Sequence, residues 1–204
     1  MIELPKPFKT NDLFKGGERT YLNACVGNNG GPYDGMDYGD GFFRGGQIIV
    51  DGCKEQKGPV DILVYPATFA FRHGIELYLK FILKALIGYN RSDRRYRKNH
   101  SIDGYWKEIA EEIGLLPDKE FDRSKIDNVA AIIRDFVEID PTGQVFRYPE
   151  DLHGNAHLSE LALINVEVLG DAMLYLHQTL NEWAYWLLEL QQRRSDAQQE
   201  TWCR

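Results

Sequence analysis

FAFRHGIELYLKFILKAL, residues 69–86, governs how the rest of the chain is read. Almost every position is apolar or a good helix former, and one thin line of charge crosses it at Arg72, His73, Glu76, Lys80 and Lys84. Arg72, Glu76, Lys80 and Lys84 recur every four residues and so share one edge of a helix. Opposite charges at that spacing stabilise a helix by roughly 0.3–0.5 kcal/mol each, which accounts for the Arg72–Glu76–Lys80 run. A surface that is apolar nearly all round places the helix at the centre of a bundle. Its narrow polar edge then faces a groove or other polar groups rather than bulk water alone.

Working outward, this helix begins near Val60 and reaches about Ile87, with Gly88 as its C-cap and Pro66 kinking or restarting its first turns. Upstream, MDYGDGFFRGGQIIVDGC (36–53) sets Tyr38, Phe42, Ile49 and Cys53 on one helical face, but Gly39, Gly41, Gly45 and Gly46 are poor helix residues. If the stretch is a helix, its glycines admit a close neighbour. Downstream, Ser101 caps a third helix in which Ile102, Trp106, Ile109, Ala110 and Ile113 follow helical spacing until GLLP (114–117) stops it. A fourth spans 122–139, with Ile126, Val129, Ala130, Ile133, Phe136 and Val137 on one face. DPTGQVFRYPEDLHGN (140–155) is a loop by its Pro and Gly punctuation.

A long last helix is predicted from about Leu158 to beyond Leu190. Leu169, Met173, Leu176, Leu180, Trp183, Leu187 and Leu190 form a coiled-coil seam, suited equally to the chain's own helices or to a dimer contact. Residues 1–35, including GNNGGPYDG (27–35), form an irregular Gly-rich N-terminal segment, and 193–204 a polar tail that frays. No strand pattern or internal repeat emerges. The expected fold is all-α: a bundle of four to five helices over 36–192.

The chain has 204 residues, 43% hydrophobic and 27% charged, which is enough for one domain with a real core. A net charge of -7 leaves no global basic field to attract nucleic acid, so any such binding must come from a local patch. Cys25, Cys53 and Cys203 have no metal-ligand spacing, and Asp34, Asp37 and Asp40 do not match an EF-hand loop. GNNGG lacks a P-loop lysine, so no cofactor is implied. The N-terminus lacks the apolar core of a signal peptide and no run is long enough to span a membrane, which makes a reducing cytoplasm the expected location.

Three fragments stand out in order: RHGIELYLKFILKAL (72–86), NHSIDGYW (99–106) and FRYP (146–149). Together they resemble the HEPN family (higher eukaryotes and prokaryotes nucleotide-binding), over about residues 38–190. The sequence differs from the family pattern in Ser101-Ile102, where Asp-Leu is usual, and in the glycines of the first helix. The resemblance implies a compact, often dimeric helical bundle. Some members are metal-independent ribonucleases of toxin or defence systems, using an Arg and a His four to six residues apart. Others are modules that bind a partner protein, RNA or a nucleotide.

The chemistry of such a pair is clear. An imidazole moves a proton from the RNA 2′-hydroxyl or to the leaving oxygen. A planar guanidinium beside it binds phosphate and stabilises developing charge. Arg95 and Arg94 precede His100 at suitable spacing, and Arg147 precedes His153. With five histidines in an Arg-containing chain such spacings arise by chance. Position adds weight: Arg91, Arg94, Arg95, Arg97 and Lys98 form the strongest local basic patch, with Tyr89 and Tyr96 within it, which suits single-stranded RNA. A solvated basic loop is the plainer alternative. Arg147 is expected to pair with Glu76 and tie its loop to the central helix.

The expected site is therefore a polar cluster of Arg72, His73, Glu76, His100 and Arg147, flanked by Arg94, Arg95 and Arg97. It serves either as a fold-holding network or as a small anionic-ligand site. The functional expectation is a non-catalytic HEPN-like module, with a homodimer and a cognate antitoxin or nucleotidyltransferase as partners. The alternative is an endoribonuclease built on His100 with Arg95 and Arg147.

Overall fold

A computed structural model describes residues 11–27, 29–31, 33–96, 99–117 and 121–202, with side chains to 196. The chain divides into two units, Met1–Tyr33 and Asp34–Arg204. In the first, the described residues form one short element, a 3-10 turn at Thr20–Leu22. Local side-chain bonds shape the rest of it: the Asn11 carboxamide accepts from the Leu13 and Phe14 amides, and Asn23 bonds both backbone groups of Gly17.

The second unit is all-α. Among its described residues are α1 (Gly35–Lys54), α2 (Val60–Asn90), α3 (Ile102–Gly114), α4 (Ile126–Ile139) and α5 (Val166–Trp202). The central helix is the one the sequence singles out: α1, α3 and α5 all pack on α2, and α4 rests on α3 and α5. Ile75, Tyr78, Leu79, Ile82, Leu83 and Leu86 of α2 are buried in one apolar core. Burying each such side chain contributes roughly 1.5–3 kcal/mol. Among the described residues no helix is long and apolar enough to cross a membrane.

The Gly-rich stretch is a helix because its start is well capped and two of its glycines, Gly39 and Gly46, are needed for packing on α2. The Asp34 carboxylate accepts from the Met36 and Asp37 amides, and the Asp37 carboxylate returns a bond to the Asp34 amide. Two of the three aspartates of residues 34–40, Asp34 and Asp37, are thereby engaged in capping rather than available to a cation. α1 crosses α2 at Gly46 and Gly74. A Cβ at Gly46 would meet the Phe71 ring at 2.6 Å, and one at Gly74 the Phe43 ring at 2.8 Å. Gly41 and Gly45 face open space, so close approach does not explain them.

Four boundaries differ from those the sequence predicts. α2 runs unbroken through Pro66 and passes Gly88 to end at Asn90, where Arg91 adopts a left-handed conformation (φ 51°) and caps it. The extra turn is pinned from α3: the Asn90 amide donates to both the Glu112 backbone carbonyl and carboxylate. α4 is preceded by a 3-10 turn, Arg123–Lys125, so its regular part starts at Ile126. α5 starts at Val166 rather than near Leu158. Leu158 is left-handed (φ 58°), and the Asn165 side chain accepts from the Glu167 and Val168 amides, a strong start signal. The tail does not fray at 193, since α5 continues to Trp202.

The seam on α5 is enclosed within the chain. Met173, Leu176, Leu180, Trp183 and Leu187 are buried in the same core as α2, with Leu169 packed against it. Trp183 stacks on Trp106 of α3. The apolar stripe that suggested a dimer contact is thus covered by the molecule's own helices.

Candidate functional site

The charged edge of α2 passes from core to solvent. Arg72 and Glu76 are 1% and 4% exposed, Lys80 is partly exposed and Lys84 is exposed. Arg72 Nη1 lies 3.3 Å from Glu76 Oε2, one helical turn on. Its other terminal nitrogen, Nη2, donates to the His100 backbone carbonyl at 2.9 Å, fastening the turn before α3 to α2. Arg72 Nε is buried and unpaired. Burial lowers the guanidinium's pKa, opposed by the charges of Glu76 and Asp140. The buried Asp140 carboxylate accepts from the Gly143, Gln144 and Val145 amides and shapes the loop beside Arg72.

Glu76 joins this structural half to an accessible half. Its Oε1 is 2.5 Å from Lys80 Nζ and 2.9 Å from His100 Nδ1. Burial pushes the Glu76 carboxyl up, but hydrogen bonds from Lys80 and His100 outweigh it and leave its pKa below the usual carboxylate range. The His100 side chain is 79% exposed. Its backbone is set by Tyr105, whose hydroxyl accepts from the Asn99 amide and donates to the Asn99 carbonyl. Beside this group lies a cleft of about 630 Å³ whose lining includes Lys80, Lys84, Tyr96, Phe81 and Gln191. Lys80 Nζ stands 5.7 Å over the Tyr105 ring, and Tyr105 stacks on Tyr96.

The predicted cluster is thus assembled in part. Arg72, Glu76 and His100 meet, but His73 and Arg147 do not join them. His73 points off the charged edge into rings, 4.5 Å from Phe42 and stacked on Phe69, and burial lowers its pKa. Arg147 is exposed, with its guanidinium over Phe69 and Tyr148 at 5.9 and 5.2 Å, and Arg72 fills the place at Glu76 expected for it. Arg94 is bound to the acidic face of α3: Nε donates to Glu112 at 3.0 Å, Nη2 bonds Glu111, and Nη1 is 3.8 Å from Glu108. Those bonds raise its pKa. Arg95 is exposed, as is His153, and Arg97 lies outside the described residues.

One polar group went unrecognised in the sequence. His177 of α5 meets Asp40 of α1, Nε2 to Oδ1 at 3.0 Å, beside the Tyr78 hydroxyl. In the sequence His177 reads only as the first of three polar residues, His177-Gln178-Thr179, between Leu176 and Leu180 of the seam. The chain matches no protein-family model, and neither a curated protein nor a solved structure matches it.

Proposed function

We propose that the protein is a non-catalytic HEPN-like helical module that binds a phosphate-bearing ligand, RNA or a nucleotide, along the cleft of Lys80, Lys84 and Tyr96. One observation carries it. Lys80 and His100 share a single buried carboxylate oxygen, which presents an ammonium and an imidazole together beside the largest of the clefts described here. Lysine supplies a point charge for phosphate, and Tyr96 offers a face for a base. Two of the arginines a ribonuclease could draw on are engaged elsewhere: Arg94 is held by three glutamates and Arg147 lies on rings. A homodimer and a cognate antitoxin or nucleotidyltransferase rest on the resemblance alone, and a dimer needs a surface other than the 169–190 seam.

The ribonuclease alternative has one observation in its favour. An exposed imidazole oriented through Nδ1 by a buried carboxylate is the arrangement of a general base or acid, and Arg95 is exposed nearby in sequence. A single experiment separates the two. Fluorescently labelled single-stranded RNA is titrated in EDTA at several salt concentrations, and the product ends are analysed. The module binds with a salt-dependent affinity, Lys80→Gln and Lys84→Gln each lower the salt slope by about one, and the RNA stays intact. Cleavage to 2′,3′-cyclic phosphate ends, reduced roughly 10²–10⁴-fold by His100→Ala, would establish the ribonuclease instead. No binding at low salt would sink both.

A further inference from the structure

A second cleft, of about 320 Å³, is lined by residues of α1, α2 and α5. Two of its side chains hang from one carboxylate. Arg44 Nε donates to Asp40 Oδ2 at 2.5 Å, and His177 Nε2 lies 3.0 Å from Asp40 Oδ1. The side chains of Arg44, Asp40 and His177 are 70%, 33% and 15% exposed, so a ligand can reach this group. It cannot reach Phe43, Phe71 or Met173, which are buried beneath it, and the exposed apolar residue of the lining is Leu174.

Arg44 and His177 each keep unused bonding capacity. Arg44 Nη1 and Nη2 make no hydrogen bond with the described residues, which leaves a planar fork of donors. The Asp40 carboxylate fixes the ring proton of His177 on Nε2 and makes Nδ1 an acceptor. The Tyr78 hydroxyl, also near Nε2, donates to Asn181 Oδ1 at 3.1 Å. Nδ1 has no partner, yet it is not one of the buried atoms that lack one, as Gln47 Oε1 is, so solvent reaches it. Burial lowers the imidazole pKa, which keeps the ring neutral at pH 7. The cleft thus presents both signs of charge and a neutral acceptor. The Arg44 fork matches a carboxylate in two parallel bonds. Asp40 opposes a second negative charge there and favours a cationic donor on Nδ1. A molecule bearing one charge of each sign answers all three groups.

We propose that this cleft binds an α-amino acid with an apolar side chain, its carboxylate on the Arg44 fork, its ammonium donating to His177 Nδ1 and its side chain against Leu174. An α-amino acid carries its two charged groups on the same carbon, which suits partners fixed to the two oxygens of Asp40. The site is independent of the lysine cleft, so either can fail without the other.

The test titrates L-leucine, isocaproate and isoamylamine into the full chain by calorimetry and follows the imidazole nitrogens by NMR, with His177 identified by the signal lost in His177→Phe. Isocaproate is leucine without its amine, and isoamylamine is leucine without its carboxylate. Leucine is expected to bind about tenfold or more tightly than either, because each fragment leaves one charged hydrogen bond unmade. It is also expected to shift the Nδ1 resonance of His177 saturably. Arg44→Gln, at a side chain mostly in solvent, is expected to bring leucine down to the affinity of isoamylamine. Equal affinities of the wild type for the three probes would overturn the proposal, as would a His177 Nδ1 signal unmoved at the solubility limit of leucine or leucine binding undiminished in Arg44→Gln. The wild-type comparison decides the matter even if a variant does not fold.

Discussion

Arg72 and Arg147 show how burial, rather than residue type, sets what a guanidinium does. Arg72 holds Glu76 with one terminal nitrogen and the His100 carbonyl with the other, in the core. Arg147 rests on two rings in water. Arg72→Met should therefore destabilise by about 3–5 kcal/mol, because it strips a partner from a buried carboxylate. Arg147→Ala should lose only about 0.5–1 kcal/mol of exposed cation–π contact. Urea unfolding of the two variants measures both, and the reverse order of losses would refute the assignment. The Arg72–Glu76 pair was legible because four-residue spacing is a local property of a helix. The choice between Arg72 and Arg147 for that carboxylate was not, because it depends on which side chain the tertiary packing encloses. The Asp40–His177 contact was hidden for the same reason: it joins the first helix to the last.

At the scale of elements, four of the five helices were legible from apolar periodicity, the first was left conditional by its glycines, and the ends were legible only where capping chemistry was explicit. Ser101 marked the start of α3 correctly, its hydroxyl accepting from the Gly104 amide. The start of α5 was masked by LSELALIN (158–165), whose composition suits a helix although Leu158 turns left-handed. The seam on α5 had the right period, but a period does not say whose helices it packs on. Leu180 is fully buried within the chain. Leu180→Asp should therefore abolish cooperative unfolding and helical circular dichroism, since an unpaired charge is driven into the core. A folded variant that merely changes its mass in light scattering would show instead that the seam joins two chains.

For the molecule as a whole, stability should depend on pH in two stages. Burial lowers the pKa of His73 and of His177 below 6.5, with Glu76 only partly opposing at the first and Asp40 at the second. Below about pH 6.5 the unfolded chain takes up protons that the folded chain resists, so stability falls as the pH drops. Glu76 and Glu112 are lowered from 4.5 by hydrogen bonds that outweigh burial, so their contribution is present above that value and is lost as the pH falls through their folded pKa. Unfolding free energies at pH 7.5 and 5.5 should differ in favour of 7.5, and His73→Phe should narrow the gap. Equal values in the wild type would remove the histidines from this account. The connection between α2 and α3 has a further consequence. It is fastened at one end by Asn90 and Arg94 to Glu112, and at the other by His100 to Arg72 and Glu76. Severing the backbone after the exposed Arg95 would therefore cut the polypeptide without parting the bundle. The two fragments would travel as one particle, and new chain ends could be placed there at little cost to the fold.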